Sequence, residues 1–303
     1  MHTKGIAKEV LRERLLHLIT SRSAGRHKVA IMKQRRGRKQ ISEVLPLTSP
    51  TLHHHISAET REKVDIAEYC DAHEGDPALE VRILFVYCVK LLKWKQDFLP
   101  RLLDHLLARL LNLEYDGDEH EFTDEERANV IIVNDRMYRH HVARVNYTTY
   151  DNRRAQDTIN PRTRPDIMML SSEDGEDGHP YWYARVLEIF HASVLHVGPQ
   201  SKSSQPQRME FMLVRWFGRD TNKPGGWKAR RLHRIGFVSA GSTPFGFVDP
   251  AIIIRAVHLI PAFAHLETPD LLGQSKVARP WAANIEEHVD WRYYYVNMSV
   301  SFS

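Results

Sequence analysis

Cysteine is nearly absent. Cys70 and Cys88 are the only two, and neither stands in a CxxC pair. That excludes a cysteine-built zinc site and a disulfide scaffold, and it makes a reducing, intracellular compartment the default expectation. Long apolar runs are missing as well. The longest, Val81 to Leu92, is interrupted by Arg82 and Lys90 and falls short of the ~20 residues that span a bilayer. Residues 1–20 are amphipathic and charged, without the apolar stretch of a secretory signal. Internal repeats are absent. So are GxSxG, GxGxxG, Walker A and HExxH. Neither catalysis nor a cofactor is expected from such a chain. The formal charge of +4 and a pI near 9.0 are mildly basic and by themselves do not point to nucleic acid.

What is present is concentrated between His179 and Asp220. Tyr181 to Val197 is rich in β-branched and aromatic residues, which suit a pleated, packed surface. Strict alternation puts Trp182, Ala184, Val186 and Phe190 on one face and Tyr183, Leu187 and Ile189 on the other. Both faces are apolar, as in a central strand. Gly198 to Gln207 is a loop. Met209 to Phe217 then alternates, with Met212, Val214 and Trp216 opposed to Phe211, Leu213, Arg215 and Phe217. The pair reads as a long antiparallel hairpin.

Upstream, residues 5–19 carry apolar residues at helical spacing. Residues 22–39 are strongly basic around KQRRGRK, with Lys33, Arg35, Arg36, Arg38 and Lys39. This is a nuclear-import or phosphate-contacting segment, or a plain solvated linker. A short helix is expected over 65–73 and a long leucine-faced one over 98–113. An acidic stretch follows, in which Thr123 and Glu126 have capping-box spacing. Val130 onward reads as strand, an Asp135-Arg136 turn, and strand again. Downstream, 231–239, 252–263 and 291–298 read as strands, 241–250 as a loop, and 268–285 as irregular. His53-His54-His55, the DxD at Asp116 and Asp118, and the set Asp151, Asp157 and Asp166 all lack metal-ligand spacing. No metal is expected. Salt bridges to Arg153, Arg154, Arg162 and Arg164 are the plain reading of the last set.

Two resemblances add to this. YARVLEIF, VRWFGRD, RIGFVS, IIIRAVHLI and WRYYYV, in that order, resemble the BAH (bromo-adjacent homology) chromatin module across residues 130–298. RIGFVS departs from that family's acidic pattern. More broadly, VNYTTYDNRRAQDTINPRTRPDIMML, HPYWYARVLEIFHASVLHVGP, GFVDPAIIIRAVHLIPAFAH and DWRYYYVNM are similar to the C-terminal region of Plavaka-type transposon-derived proteins of mushroom-forming fungi, over about 42–298. That resemblance implies a nuclear DNA-transposition context and no catalytic residue here, because the transposase core lies upstream. The family runs from DPALE directly into DFLPRL, whereas residues 81–96 intervene here. A retained intron is the expectation, and a truncation after SVSFS.

The resulting expectation is an α+β chain. Residues 1–41 form a basic amphipathic helix and tail. Residues 42–127 form a helical region with an insertion at 81–96 and an acidic linker. Residues 128–298 form a mainly antiparallel β-barrel of BAH/SH3-like type. The expected role is a non-catalytic chromatin or protein-interaction module. Aromatic faces from Tyr183, Trp216, Phe217, Trp227 and Trp291 would hold a methylated lysine of a histone tail or other peptide. The alternatives are a DNA-binding accessory domain of a transposase, using Arg215, Arg219, Lys228, Arg230 and Arg231 besides the basic tail, or a decayed transposon remnant.

Overall fold

The computed structural model describes residues 53–56, 62–81, 95–96, 98–148, 154–172, 179–223, 225–226, 229–239 and 243–297. The basic segment at 33–39 and the Trp227-Lys228 tip lie outside them. So does the expected helix over 5–19.

The first described elements are β1 (His54–Ile56), β2 (Glu62–Asp65) and helix α1 (Ile66–Ala72). Asp65 starts α1 by accepting hydrogen bonds from the backbone of Ala67 and Glu68, which satisfies donors that a helix start leaves open. A two-residue pair, β3 (Glu80–Val81) with β4 (Lys95–Gln96), precedes helix α2 (Phe98–Leu111). Helix α3 (Asp124–Arg127) carries the expected capping box between Thr123 and Glu126. Four strands follow: β5 (Val130–His140), β6 (Ala143–Thr148), β7 (Arg154–Ile159) and β8 (Asp166–Leu170). The expected hairpin is β9 (Tyr181–His196) and β10 (Gln207–Arg219), paired antiparallel from Val194 opposite Gln207 to Tyr183 opposite Phe217. The chain then adds β11 (Arg234–Phe237), β12 (Phe245–Val248), β13 (Ile253–Ala256), β14 (Leu259–Pro261), β15 (Glu267–Thr268), β16 (Asp290–Trp291) and β17 (Tyr294–Val296).

β9 is the central strand. One edge is held by β10. The other is shared, with β8 along Tyr181–Arg185 and β5 along Ile189–His196. The hairpin and its neighbours form a ten-stranded sheet, ordered β13-β8-β9-β10-β11-β17-β14, with β5, β2 and β12 attached. No sheet among the described residues closes on itself. The expected barrel is therefore corrected to an open α+β architecture, because β13 and β14 end the order unpaired with each other.

Strict alternation also fails at one place. The β9–β10 register shifts where Leu213 faces Glu188 but Val214 faces Val186. Leu187 is the extra residue of a β-bulge, and a bulge reverses the parity of everything beyond it. Ala184, Val186 and Ile189 accordingly share one core with Met212, Val214 and the second sheet, β1-β6-β7, through Ile56, Val145 and Ile159. Leu187, Phe190, Ala192 and Val194 face the opposite core, against Tyr69 of α1 and Phe98, Leu102 and Leu106 of α2. A third cluster, at the other end of the hairpin, gathers Tyr183, Phe217, Phe237 and Tyr294.

Other expectations change in detail. The Asp135-Arg136 turn is a bulge inside β5, with Asn134 and Asp135 at positive φ. The 241–250 loop contains β12, paired to β10. Residues 252–263 form two strands, of which β13 pairs β8 and β14 pairs β17. The irregular 268–285 stretch is tied down by Asp76, which accepts from Ser275 Oγ (2.6 Å), Lys276 N (2.7 Å) and Val277 N (3.1 Å).

Two predictions follow from this packing. Gln96 lies directly opposite Glu80, so the ends of the 81–96 segment already meet. Opposed Cα atoms in an antiparallel pair are ~5 Å apart, close to the ~3.8 Å of consecutive residues. A chain with 81–96 deleted, joining Glu80 to Asp97, should keep its far-UV circular dichroism and melt within a few degrees of the parent. Loss of the cooperative transition would show that the segment is integral to the fold.

The second concerns His140 Nε2 and His191 Nδ1, which are 2.7 Å apart in the interior. One must donate and the other accept. Burial, then Arg208 and His140, push the His191 pKa down to about 4. An unfolded histidine titrates near ~6.5, so the unfolded chain takes up the proton first. Stability should fall as pH drops from ~6.5 towards 4, by roughly 1–3 kcal/mol from this group. Urea unfolding at about pH 7 and 4.5 should show a smaller difference for His191→Gln than for the parent. An equal difference would refute the assignment.

Candidate functional site

The open end of the β9–β10 hairpin brings aromatic side chains from both faces to one place. Tyr181, Trp182 and Tyr183 begin β9, and Trp216 and Phe217 lie near the end of β10. All five line a cleft of about 280 Å³. Trp216 is opposite Ala184, two residues from Trp182 on the same face, which puts the two indoles on a cross-strand diagonal. Their rings are 6.2 Å apart at 71°. Tyr115 stands 6.4 Å beyond Trp182, at 72°. The two indoles meet edge to face, and both line the cleft. Indole faces attract a cation through the ring quadrupole.

The facing wall is the loop before α3, with Asp116, Gly117 and Glu119. Asp116 and Glu119 are exposed carboxylates. Gly117 has φ +89, and a Cβ built there would lie 3.6 Å from the Trp182 ring, so this turn rests on the indole. Asp118 anchors the loop from below. It accepts from His105 Nδ1 (2.7 Å) and from Phe247 N (2.6 Å). His105 and Asp118 are almost wholly buried. A Cβ on Gly246 would lie 2.6 Å from Trp216 Nε1 and 3.3 Å from Asp118 Oδ2. The bare glycine is what lets both the indole and the carboxylate approach β12.

The third side holds His179, His233 and Arg219. The two imidazoles contact edge to face at 4.6 Å. Burial, then His179 and Arg219, lower the His233 pKa, so it is uncharged at neutral pH. Burial raises the Tyr183 phenol far above its usual range, and it stays neutral.

Of the five aromatic residues read from sequence, Tyr183, Trp216 and Phe217 line the cleft. Trp291 does not. It packs edge-on against Phe263 at 5.1 Å. Trp227 lies outside the described residues. Tyr181, Trp182, Asp116, Glu119, His179 and His233 were not singled out as site residues. The diagonal pairing of Trp182 with Trp216 was a readable signal for the first of the two indoles, whereas the acidic loop reaches the cleft only through tertiary contact.

The basic set fares differently. Arg215 is corrected from a phosphate contact to a core residue. It is 2% exposed, donates to Asp290 at 2.9 Å and lies 3.8 Å over the Phe237 ring. Arg279 completes the triad on Asp290 at 2.5 Å. Arg219, Arg230 and Arg231 are exposed. Lys33, Arg35, Arg36, Arg38, Lys39 and Lys228 lie outside the described residues.

Among the described residues no group of three or more His, Cys, Asp or Glu side chains could hold a metal. Asp157 pairs with Arg255 at 3.0 Å and Asp166 with Arg185 at 2.7 Å, rather than with the nearby arginines expected from sequence. His53 contacts the carbonyl of Ile253 and His54 contacts Glu210, so the histidine run is split between partners. No described helix is long and apolar enough to cross a membrane.

Comparison with known proteins returned no match to any family model, any curated protein or any solved structure.

The contact at Gly246 yields a test of the cleft's construction. Gly246→Ala should displace the Trp216 indole, shift its Nε1–H resonance and cost about 1–3 kcal/mol, as overpacking does. An unmoved resonance would show that the indole is not seated on that glycine.

Proposed function

We propose that the chain is a non-catalytic peptide-binding module whose aromatic cleft receives the methylated ammonium of a lysine side chain. The observation that carries this is the edge-to-face Trp182–Trp216 pair, which lines one cleft with Tyr181, Tyr183 and Phe217 and with Asp116 and Glu119. Methylation removes hydration from the ammonium and spreads its charge over apolar surface, which suits aromatic walls. Carboxylates at the mouth add Coulombic attraction and speed encounter. The cleft is too small for an extended ligand but wide enough for one side chain. The resemblance to Plavaka-type proteins supplies the context of this reading: a transposon-derived nuclear protein that engages chromatin through a histone tail or another protein peptide.

A second reading, DNA contact by the accessory domain of a transposase, is favoured by the exposed Arg219, Arg230 and Arg231 at and after the end of β10. It predicts affinity that falls steeply with salt.

The test is a titration of the full chain with histone H3 and H4 tail peptides, methylated and unmethylated, and with short duplex DNA at two salt concentrations. Methylated peptides should bind and perturb the Trp182 and Trp216 indoles. Trp216→Ala should weaken binding about tenfold or more, as aromatic hot spots do. Glu119→Lys, at an exposed position that leaves the core untouched, should weaken it as well. Binding of DNA alone, lost at high salt, would transfer the assignment to the second reading.

A further inference from the structure

We infer that the cleft distinguishes methylation states, favouring mono- and dimethyl-lysine over trimethyl-lysine. This rests on the reading of the cleft as a site for a lysine ammonium, and it follows from how its walls differ. One wall is purely aromatic and attracts any cation. The other offers hydrogen-bond acceptors, the carboxylates of Asp116 and Glu119. A mono- or dimethylammonium can use both walls. It turns its methyl groups to the indoles and donates its remaining N–H to a carboxylate. A trimethylammonium has no N–H, so it meets the aromatic wall equally well but cannot bond to the acidic one.

The turn that carries the acids is held in place rather than left to drift. Asp116 Oδ1 accepts from Glu119 N at 3.2 Å, which closes the turn that carries both. Gly117 between them packs on Trp182. Asp118, in the same turn, is fastened from the interior by His105 and Phe247. The cost of ordering this wall is met in the unbound protein, and a preorganised acceptor discriminates better than a mobile one. Asp118 and His105 act as positioning residues: they touch no ligand, and they fix the wall that does. Arg219, His179, His233 and Thr243 also line the cleft. They offer no carboxylate to replace those of the acidic turn.

The experiment uses Nα-acetyl-lysine methylamide in four forms, unmodified and mono-, di- and trimethylated, titrated into the full chain while the Trp182 and Trp216 indole resonances are followed. The mono- and dimethyl forms should bind about five- to tenfold more tightly than the trimethyl form, the worth of one charge-assisted hydrogen bond at a partly exposed site. Asp116→Asn combined with Glu119→Gln should lower all affinities and close the gap between dimethyl and trimethyl. The common loss reports charge, and the closing gap reports the hydrogen bond. A trimethyl form that binds as tightly as the dimethyl form to the parent chain would overturn the inference while leaving the cleft as a cation site. A gap that survives the double substitution would overturn the role of the two carboxylates. Absence of binding by every form, with a well-dispersed spectrum, would overturn the cation-site reading itself.

Discussion

The extra residue in β9 is the constraint from which the rest of the structure is arranged. A strand of sixteen residues that is apolar on both faces must bury both. Here the bulge at Leu187 exchanges the two faces halfway along. Before it, Ala184 and Val186 look towards the small sheet. After it, Phe190, Ala192 and Val194 look towards the helices. β10 keeps its alternation throughout, so the hairpin twists where the strands fall out of step. β8 holds the free edge on one side of this point and β5 on the other. At the hairpin end Tyr181, Trp182 and Tyr183 meet Trp216 and Phe217 along the lining of the cleft.

Buried charge then fixes the segments that secondary structure leaves loose. Asp290 binds Arg215 and Arg279 in the interior. Asp104 binds Arg127 at 2.7 Å and ties α3 to α2. Asp118 binds His105 and β12, and Asp76 binds the Ser275 hydroxyl and the 276–277 backbone. Each joins residues distant in sequence. Such pairs add little net stability over apolar substitutes, but removing one partner strands the other, at a cost of ~3–5 kcal/mol. Their effect is to allow one arrangement of the loops and not several. The acidic wall of the cleft depends on that, since Asp118, with the Tyr115 hydroxyl donating to the Phe247 carbonyl beside it, anchors its turn to the interior.

The hairpin, α2 and the capping box were legible in the sequence because each is a local pattern: alternation, a leucine face, and a Thr–Glu spacing. The swap of faces in β9 was not, because period-two counting has no means of seeing an inserted residue. Phe190 was accordingly grouped with Val186, from which the bulge separates it. Phe245–Val248 read as loop because its glycine and the flanking prolines outweighed a short run. In place, it pairs with β10 and its glycine receives Trp216. The barrel was an inference from the order of strands, and closure is decided by which edges meet. Arg215 looked like a surface cation in an alternating strand. Its burial requires Asp290, seventy-five residues away. Tyr183, Trp216 and Phe217, three of the five aromatic candidates, line the cleft because they stand in the hairpin strands, and Trp182, read as part of an apolar strand face, lines it with them.

The electrostatics of the cleft bear on the choice between peptide and nucleic acid. The expected basic edge is thinner than its sequence implied, because Arg215 is internal. The exposed Arg219 shares the lining of the cleft with Asp116 and Glu119. A phosphate drawn to Arg219 would therefore bring its negative charge to a cleft that two carboxylates also line. A lysine side chain meets the opposite balance. It has the carboxylates of Asp116 and Glu119 set against the guanidinium of Arg219, neutral rings inside, and an imidazole at His233 whose pKa burial lowers. Discrimination of this kind comes from the groups that repel the wrong partner as much as from those that attract the right one. The acidic turn does both, because the carboxylates that would accept from an ammonium are the ones that would oppose a phosphate backbone.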